Sequence, residues 1–166
     1  YRVAGTVGLM MAKILNVKDK NSLKSAIDLG IAMQLTNISR DIIEDSKNNR
    51  FYISHDFETI KETLKTADFF YESCFPSIKG IPFAFRFSIL VARRVYRKIG
   101  QNILNKKSIE NYNNSGKIYV SNSGKIIQTL LSFLDLVRLS LIKDKDHHRY
   151  KEHQLINEEI DLNERL

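Results

Sequence analysis

Residues 34–45 constrain the fold and function of this chain more than any other part of the sequence. As a helix, this segment places Asn37, Asp41 and Asp45 four residues apart on one face, with Gln34 one turn before them. Apolar positions run beside that face, at Ile27, Ile31, Leu35, Ile38 and Ile42. Because apolar residues flank the acids, the acidic face is predicted to lie inside a helical assembly and not on a solvated surface.

The two carboxylates of this face need a compensating positive charge. Buried carboxylates one turn apart repel each other and lose hydration. Mg²⁺ held by a few carboxylates and substrate phosphates would supply that charge, with Mn²⁺ as an alternative. The competing interpretation is an amphipathic helix whose acids pair with Arg40 or Lys47. Acids near the C-terminal end of a helix oppose its dipole, so the metal-binding interpretation is favoured.

Three strings in the sequence resemble the squalene/phytoene synthase family, and the first is most similar to bacterial phytoene synthases. They are Val3-Ala4-Gly5-Thr6-Val7-Gly8-Leu9-Met10-Met11, then Gln34-Leu35-Thr36-Asn37-Ile38 with Arg40-Asp41-Ile42-Ile43-Glu44-Asp45, and Arg50-Phe51-Tyr52-Ile53. The resemblance runs from residue 1 to about residue 136. Family members carry two aspartate-rich motifs on facing helices, and this sequence has only the second. We therefore expect residues 1–142 to be the C-terminal part of a synthase domain, inactive alone.

The resemblance implies an all-α helical bundle of the isoprenoid synthase type, incomplete at its N-terminus. It also implies a transferase of carotenoid biosynthesis that condenses two geranylgeranyl diphosphates head-to-head to phytoene, through prephytoene diphosphate. The catalytic residues would be Asp41 and Asp45, which with Asn37 would hold the metal. The substrate-binding residues would be Gln34, Asn37, Arg40, Arg50, Lys117, Val3, Gly5 and Gly8. Two alternatives stay open: a squalene or dehydrosqualene synthase acting on farnesyl diphosphate, and a non-catalytic relative that serves as a scaffold.

Helical periodicity and turn residues predict the remaining elements. We expect helices over residues 1–15, 23–47, 56–73, 82–105 and 125–142, a loop over 106–124, and a polar, mobile tail over 143–166. Asn21 or Ser22 is the expected cap of the second helix, and Ser54 that of the third. The Gly5–Gly8–Ala12 stripe predicts the close approach of another helix or of a ligand. Gly30 is expected to keep bulk away from the acids.

Other expectations concern the last two helices. In the fourth helix, Arg86, Arg93 and Arg97 should form a solvated face. In the last helix, apolar side chains at helical spacing should pack inward. They are Ile127, Leu130, Leu131, Leu134, Val137 and Leu141.

The net charge of +7 comes from 26 basic and 19 acidic residues and is unevenly distributed. Residues 86–125 hold nine Lys or Arg against one acid, a block that leaves three partners open: a diphosphate substrate, an anionic membrane surface or nucleic acid. A nucleic-acid site would need basic residues with aromatics on an open face, so no nucleic acid is expected. The single cysteine and the absence of a membrane-length apolar run predict a cytoplasmic location, with peripheral contact at the inner membrane left open.

Overall fold

The computed structural model describes residues 3–142, and every regular element within them is a helix. The order is α1 (Ala4–Ile14), α2 (Lys20–Lys47), α3 (Phe57–Cys74), a 3₁₀ helix (Pro76–Gly80), α4 (Phe83–Leu104), α5 (Ile109–Asn114) and α6 (Asn122–Leu141). The predicted all-α fold class is confirmed. The predicted tail, residues 143–166, lies outside the described residues. None of the helices between residues 3 and 142 combines the length and hydropathy needed to cross a bilayer.

The long helix α2 is the centre of the assembly. At ~1.5 Å per residue it is ~42 Å long, and α1, α3 and α4 pack against it. Its buried residues enter all three core clusters: Leu23 the first, Ile27 and Ile31 the second, and Ile42 the third. Because packing fixes α2 along its whole length, the side chains on its remaining faces have defined positions.

Side-chain caps determine where the helices begin. Asp19 accepts a hydrogen bond from the backbone N–H of Ser22 at 2.8 Å, so α2 starts at Lys20. Asp56 caps α3 in the same way. The predicted caps Asn21, Ser22 and Ser54 are therefore wrong, by two or three residues. Asp, Asn and Ser are all good acceptors at a helix start, and the sequence offers Asp19, Asn21 and Ser22 before α2 and both Ser54 and Asp56 before α3.

Two glycines allow α1 and α2 to meet through their backbones. A Cβ on Gly8 would lie 2.1 Å from the carbonyl oxygen of Ala26, and one on Gly30 would lie 2.2 Å from that of Ala4. Of the two alternatives predicted for the Gly5–Gly8–Ala12 stripe, another helix or a ligand, the close approach of another helix is confirmed at Gly8. The expectation that Gly30 makes room for the acids is wrong, because this glycine faces the backbone of α1.

Of the six apolar side chains of α6 that were predicted to pack inward, five are exposed and Leu131 is half-buried. Those found exposed are Ile127, Leu130, Leu134, Val137 and Leu141. The buried residues of this helix are Ser132, Asp135 and Leu139. Arg94 of α4 forms a two-point ion pair with Asp135, at 2.5 and 2.8 Å, which turns the polar side of α6 toward α4. The partner lies 41 residues away, so the periodicity of α6 alone could not reveal it.

The arginines of α4 are not the solvated face that was predicted. Arg93 is 4% exposed, and its Nε donates to the carbonyl oxygen of Tyr71 at 2.8 Å while its guanidinium lies 4.9 Å from the ring centroid of Phe75. Arg97 pairs with two carboxylates of α3, and Arg86 donates to a backbone carbonyl at 2.6 Å. A long side chain can reach a partner on a neighbouring helix, which a pattern of Cα positions does not show.

The predicted loop over residues 106–124 contains the short helix α5. Tyr112 of α5 is buried, and its hydroxyl donates to the backbone carbonyls of Ser39 and Arg40 at 2.9 and 3.0 Å. This contact fixes the segment against α2 beside Asp41. It also places Lys117 within reach of that carboxylate.

Candidate functional site

An apolar cleft of 310 Å³ lies between α1 and α2. Its α2 wall runs from Ser22 to Asn37, which corresponds to ~22 Å of helix at ~1.5 Å per residue. Val3 and Gly8, both predicted to bind substrate, line the α1 wall. The apolar part of the lining includes Val7, Met11, Leu29, Met33, Ile78 and Ile81. The cleft can therefore hold a long, narrow hydrocarbon group.

Polar groups lie at the end of this cleft where α2 continues toward Asp41. Gln34 and Asn37 line that end. The Asn37 Oδ1 atom is buried and has no hydrogen-bond partner among the described residues. The Ser25 hydroxyl, nearer the start of α2, is also buried and without a partner among them. A buried polar atom without a partner costs free energy, so a ligand or metal that satisfied Asn37 would be stabilised there.

Asp41 follows Asn37 by one turn of α2 and contacts two cations. Arg40 donates to its carboxylate from Nε and Nη2 at 2.9 and 2.6 Å, and the Nζ of Lys117 lies 3.2 Å away. Lys117 also contacts Glu44 at 2.5 Å. Burial raises the pKa of the Asp41 carboxyl, but hydrogen bonds from Arg40 and Lys117 outweigh it, so the pKa lies below its ordinary value. Cations of the chain itself thus compensate this carboxylate.

Most of the predicted site residues meet at the cleft or at Asp41. These are Val3, Gly8, Gln34, Asn37, Arg40, Asp41 and Lys117. Gly5 is buried in the contact between α1 and α2 and is absent from the cleft lining. Asp45 is half-buried one turn beyond Asp41. Arg50 is exposed, and its backbone N–H donates to the carbonyl oxygen of Asp45 at 2.9 Å.

Sequence reasoning missed the part of the cleft nearer the start of α2. Ser22, Ser25 and Ala26 line it there. Part of this wall could have been predicted from the sequence, because steps of four residues back from Gln34 lead through Gly30 to Ala26 and Ser22. The floor supplied by the 3₁₀ helix, including Ile78, carries no such spacing signal, since it comes from a distant part of the chain.

The donor set on α2 fits a hard divalent cation in its chemistry. Amide and carboxylate oxygens are what Mg²⁺ prefers, and Asn37, Asp41 and Asp45 offer them at successive turns. The unpartnered Asn37 Oδ1 is the observation that supports this fit. Between residues 3 and 142, no group of three or more His, Cys, Asp or Glu side chains is placed to hold a metal. A magnesium ion held through one or two carboxylates takes other ligands from substrate phosphates and water.

Comparison with known proteins points to one family. The squalene/phytoene synthase family model matches residues 1–57, which include α1, α2 and Asp41. The chain is 36% identical over 125 residues to the 15-cis-phytoene synthase of Enterobacter agglomerans, a match that covers 63% of this chain and 42% of that protein. It is 35% identical over 124 residues to the 15-cis-phytoene synthase of Pantoea ananas, with 62% and 40% covered.

A plant relative extends the aligned region. The chain is 30% identical over 161 residues to the chloroplastic phytoene synthase 1 of Solanum lycopersicum, with 80% of this chain and 38% of that protein covered. The chain thus spans about two fifths of the length of these relatives. The chain is therefore similar to the squalene/phytoene synthase family, and the matched residues 1–57 include α1, α2 and the acidic residues Asp41 and Asp45.

Proposed function

We propose that this chain carries the prenyl-binding and diphosphate-binding part of a phytoene synthase-type transferase. Such an enzyme condenses two geranylgeranyl diphosphates head-to-head to phytoene, through prephytoene diphosphate. The observation that supports the proposal best is the polarity of the cleft. Its lining is apolar along the α1 wall, from Val3 to Leu15, and on α2 from Ala26 to Met33. It becomes polar at Gln34 and Asn37, one turn before Asp41, and the polar side chains at its opposite end are serines. A ligand with a long hydrocarbon chain and an anionic head has the same distribution of polarity.

The cations beside Asp41 are suited to the anionic head of that ligand. The guanidinium of Arg40 can donate two parallel hydrogen bonds to phosphate oxygens, and Lys117 adds a flexible positive charge. Without a ligand, both cations contact Asp41. A diphosphate would compete with the carboxylate for them, so binding would free Asp41 for other partners. Arg50 is exposed at the end of α2, and its part in diphosphate binding stays a prediction.

Asn37, Asp41 and Asp45 would hold Mg²⁺, whose chemistry is to offset the negative charge that develops on a departing diphosphate. Side chains of this chain would orient the substrate and exclude water. Gln34 orients the head group at the mouth of the cleft. The apolar lining keeps water away from cationic intermediates, which water would otherwise capture.

The test is product analysis. The gene is expressed from its own start codon in bacterial cells that make geranylgeranyl diphosphate, and the hydrocarbons are extracted. The expected product is phytoene, absent from cells without the gene. A parallel host that makes only farnesyl diphosphate tests the shorter-chain alternative, for which squalene or dehydrosqualene would be the main product. No prenyl hydrocarbon from a well-folded protein in either host would contradict the proposal and favour a scaffold.

A further inference from the structure

A second cleft, of 240 Å³, lies between α4 and α6 and shares no lining residue with the apolar cleft. Five cationic side chains line it, at Arg93, Arg94, Arg97, Lys98 and Arg138. Only two acids, Glu72 and Asp135, line it with them. Arg and Lys are protonated at neutral pH, so the lining carries an excess of three positive charges. The function proposed above makes no use of this basic cleft.

Ion pairs hold the walls of the basic cleft in place. Arg94 makes its two-point contact with Asp135, which is only 5% exposed. Arg97 makes a similar contact with Asp68, a residue of α3 behind the cleft. These two arginines are therefore structural. The remaining cations decide what the cleft can bind.

The remaining cations line the same cleft without enough acid to balance them. Arg93 and Arg138 lie over the same ring, 4.9 and 5.3 Å from the centroid of Phe75. The guanidinium of Arg93 is 3.4 Å from Glu72, which Arg97 also contacts. Among residues 3–142, no acid forms an ion pair with Lys98 or Arg138. Like charges that line one cleft repel each other, and an anion bound in the cleft would relieve the repulsion.

We propose that the basic cleft binds a phosphate-bearing anion through Arg138 and Lys98, with Arg93 as the buried wall. A guanidinium matches phosphate with a fork of two donors, and an ammonium adds a point charge, which makes phosphate the favoured chemistry. The phosphate can belong to a free inorganic ion or to the head group of an anionic lipid. The exposed apolar residues of α6, such as Leu134 and Val137, lie on the helix that forms one wall and would suit a lipid.

The test compares two double variants of the 166-residue chain that lose the same charge. Lys98→Gln with Arg138→Gln removes two cations of the basic cleft. Lys107→Gln with Lys125→Gln removes two exposed cations that do not line the basic cleft. One arm measures calorimetric binding of inorganic phosphate without divalent metal. The other measures cosedimentation with phosphatidylcholine vesicles that contain or lack phosphatidylglycerol. Thermal melts check that both variants fold.

The basic-cleft variant should bind about tenfold more weakly than the control variant in at least one arm, as expected for lost charge-assisted contacts. A loss in the phosphate arm identifies a free anion, and a loss confined to phosphatidylglycerol vesicles identifies a lipid head group. Equal affinities of the two variants in both arms, or no saturable binding to either probe, would overturn the proposal. If the basic-cleft double variant does not fold, Lys98→Gln is compared with Lys125→Gln under the same criteria.

Discussion

Replacing Gly30 with alanine tests whether α1 and α2 meet through their backbones. The new Cβ would lie 2.2 Å from the carbonyl oxygen of Ala4, whereas a comfortable carbon–oxygen contact needs about 3.3 Å, so α1 must move away by about 1 Å. Alanine gains about 1 kcal/mol of helix propensity over glycine. Overpacking costs about 1–3 kcal/mol, and a backbone atom cannot rotate aside, so the upper end applies. The net loss of unfolding free energy should be about 1–2 kcal/mol.

Thermal unfolding followed by circular dichroism measures this effect. The expected fall in Tm is about 2–8 °C for a chain of this size. Gly100→Ala is the matched control, because it has the same gain in helix propensity and its Cβ meets only the Cδ2 of Leu64, at 3.2 Å, at the end of a flexible side chain. This control should melt at or above the wild-type temperature. A Gly30→Ala variant as stable as Gly100→Ala would refute the close contact of α1 with α2.

Three further predictions concern single side chains. Asp41→Asn should lower the unfolding free energy by about 1 kcal/mol at pH 7, since Arg40 loses its charged partner. Because the Asp41 pKa is depressed, this contribution is present above about pH 4 and is lost as the pH falls further. A difference from wild type in urea unfolding that persists in acid would contradict it. Tyr112→Phe should cost about 1–2 kcal/mol in urea unfolding, because the buried hydroxyl contact with the carbonyls of Ser39 and Arg40 is lost, and unchanged stability would count against that contact. Arg93→Gln should cost about 2 kcal/mol or more while the more exposed Arg86→Gln costs less than about 1, and equal effects in thermal melts would show that Arg93 is not a buried donor.

The sequence predicted the helices well because their signals are local. Each long helix was placed within three residues of its observed ends, and the polar face of α2 that carries Gln34, Asn37 and Asp41 was predicted together with the helix. The errors at its start arose because Asp19, Asn21 and Ser22 are all competent caps. The site was predicted in part for the same reason. Gln34 and Asn37 share a face by spacing alone, whereas Lys117 was placed by family resemblance.

What the sequence could not show depends on contacts between distant residues. The polar side of α6 turns inward because Asp135 meets Arg94, and Arg93 is buried because its head reaches a carbonyl on α3. Neither partner can be read from the periodicity of one helix. The charge state of Asp41 is a similar case. Its pKa is depressed by hydrogen bonds from Arg40, its neighbour in sequence, and from Lys117, a distant residue that Tyr112 holds near α2.

The central claim is that the stripe of α2 formed by Asn37, Asp41 and Asp45 binds metal and diphosphate. The most direct measurement is turnover of geranylgeranyl diphosphate across a Mg²⁺ titration, for the enzyme expressed from its own start codon and for its Asp41→Asn and Glu44→Gln variants, beside thermal melts. Both variants lose one carboxylate that contacts Lys117, but only Asp41 lies on the stripe. At saturating substrate, Asp41→Asn should lose about a hundredfold in turnover, corresponding to about 3 kcal/mol of transition-state stabilisation, and Glu44→Gln should lose far less. Normal turnover in Asp41→Asn, or a loss explained wholly by unfolding, would contradict the claim.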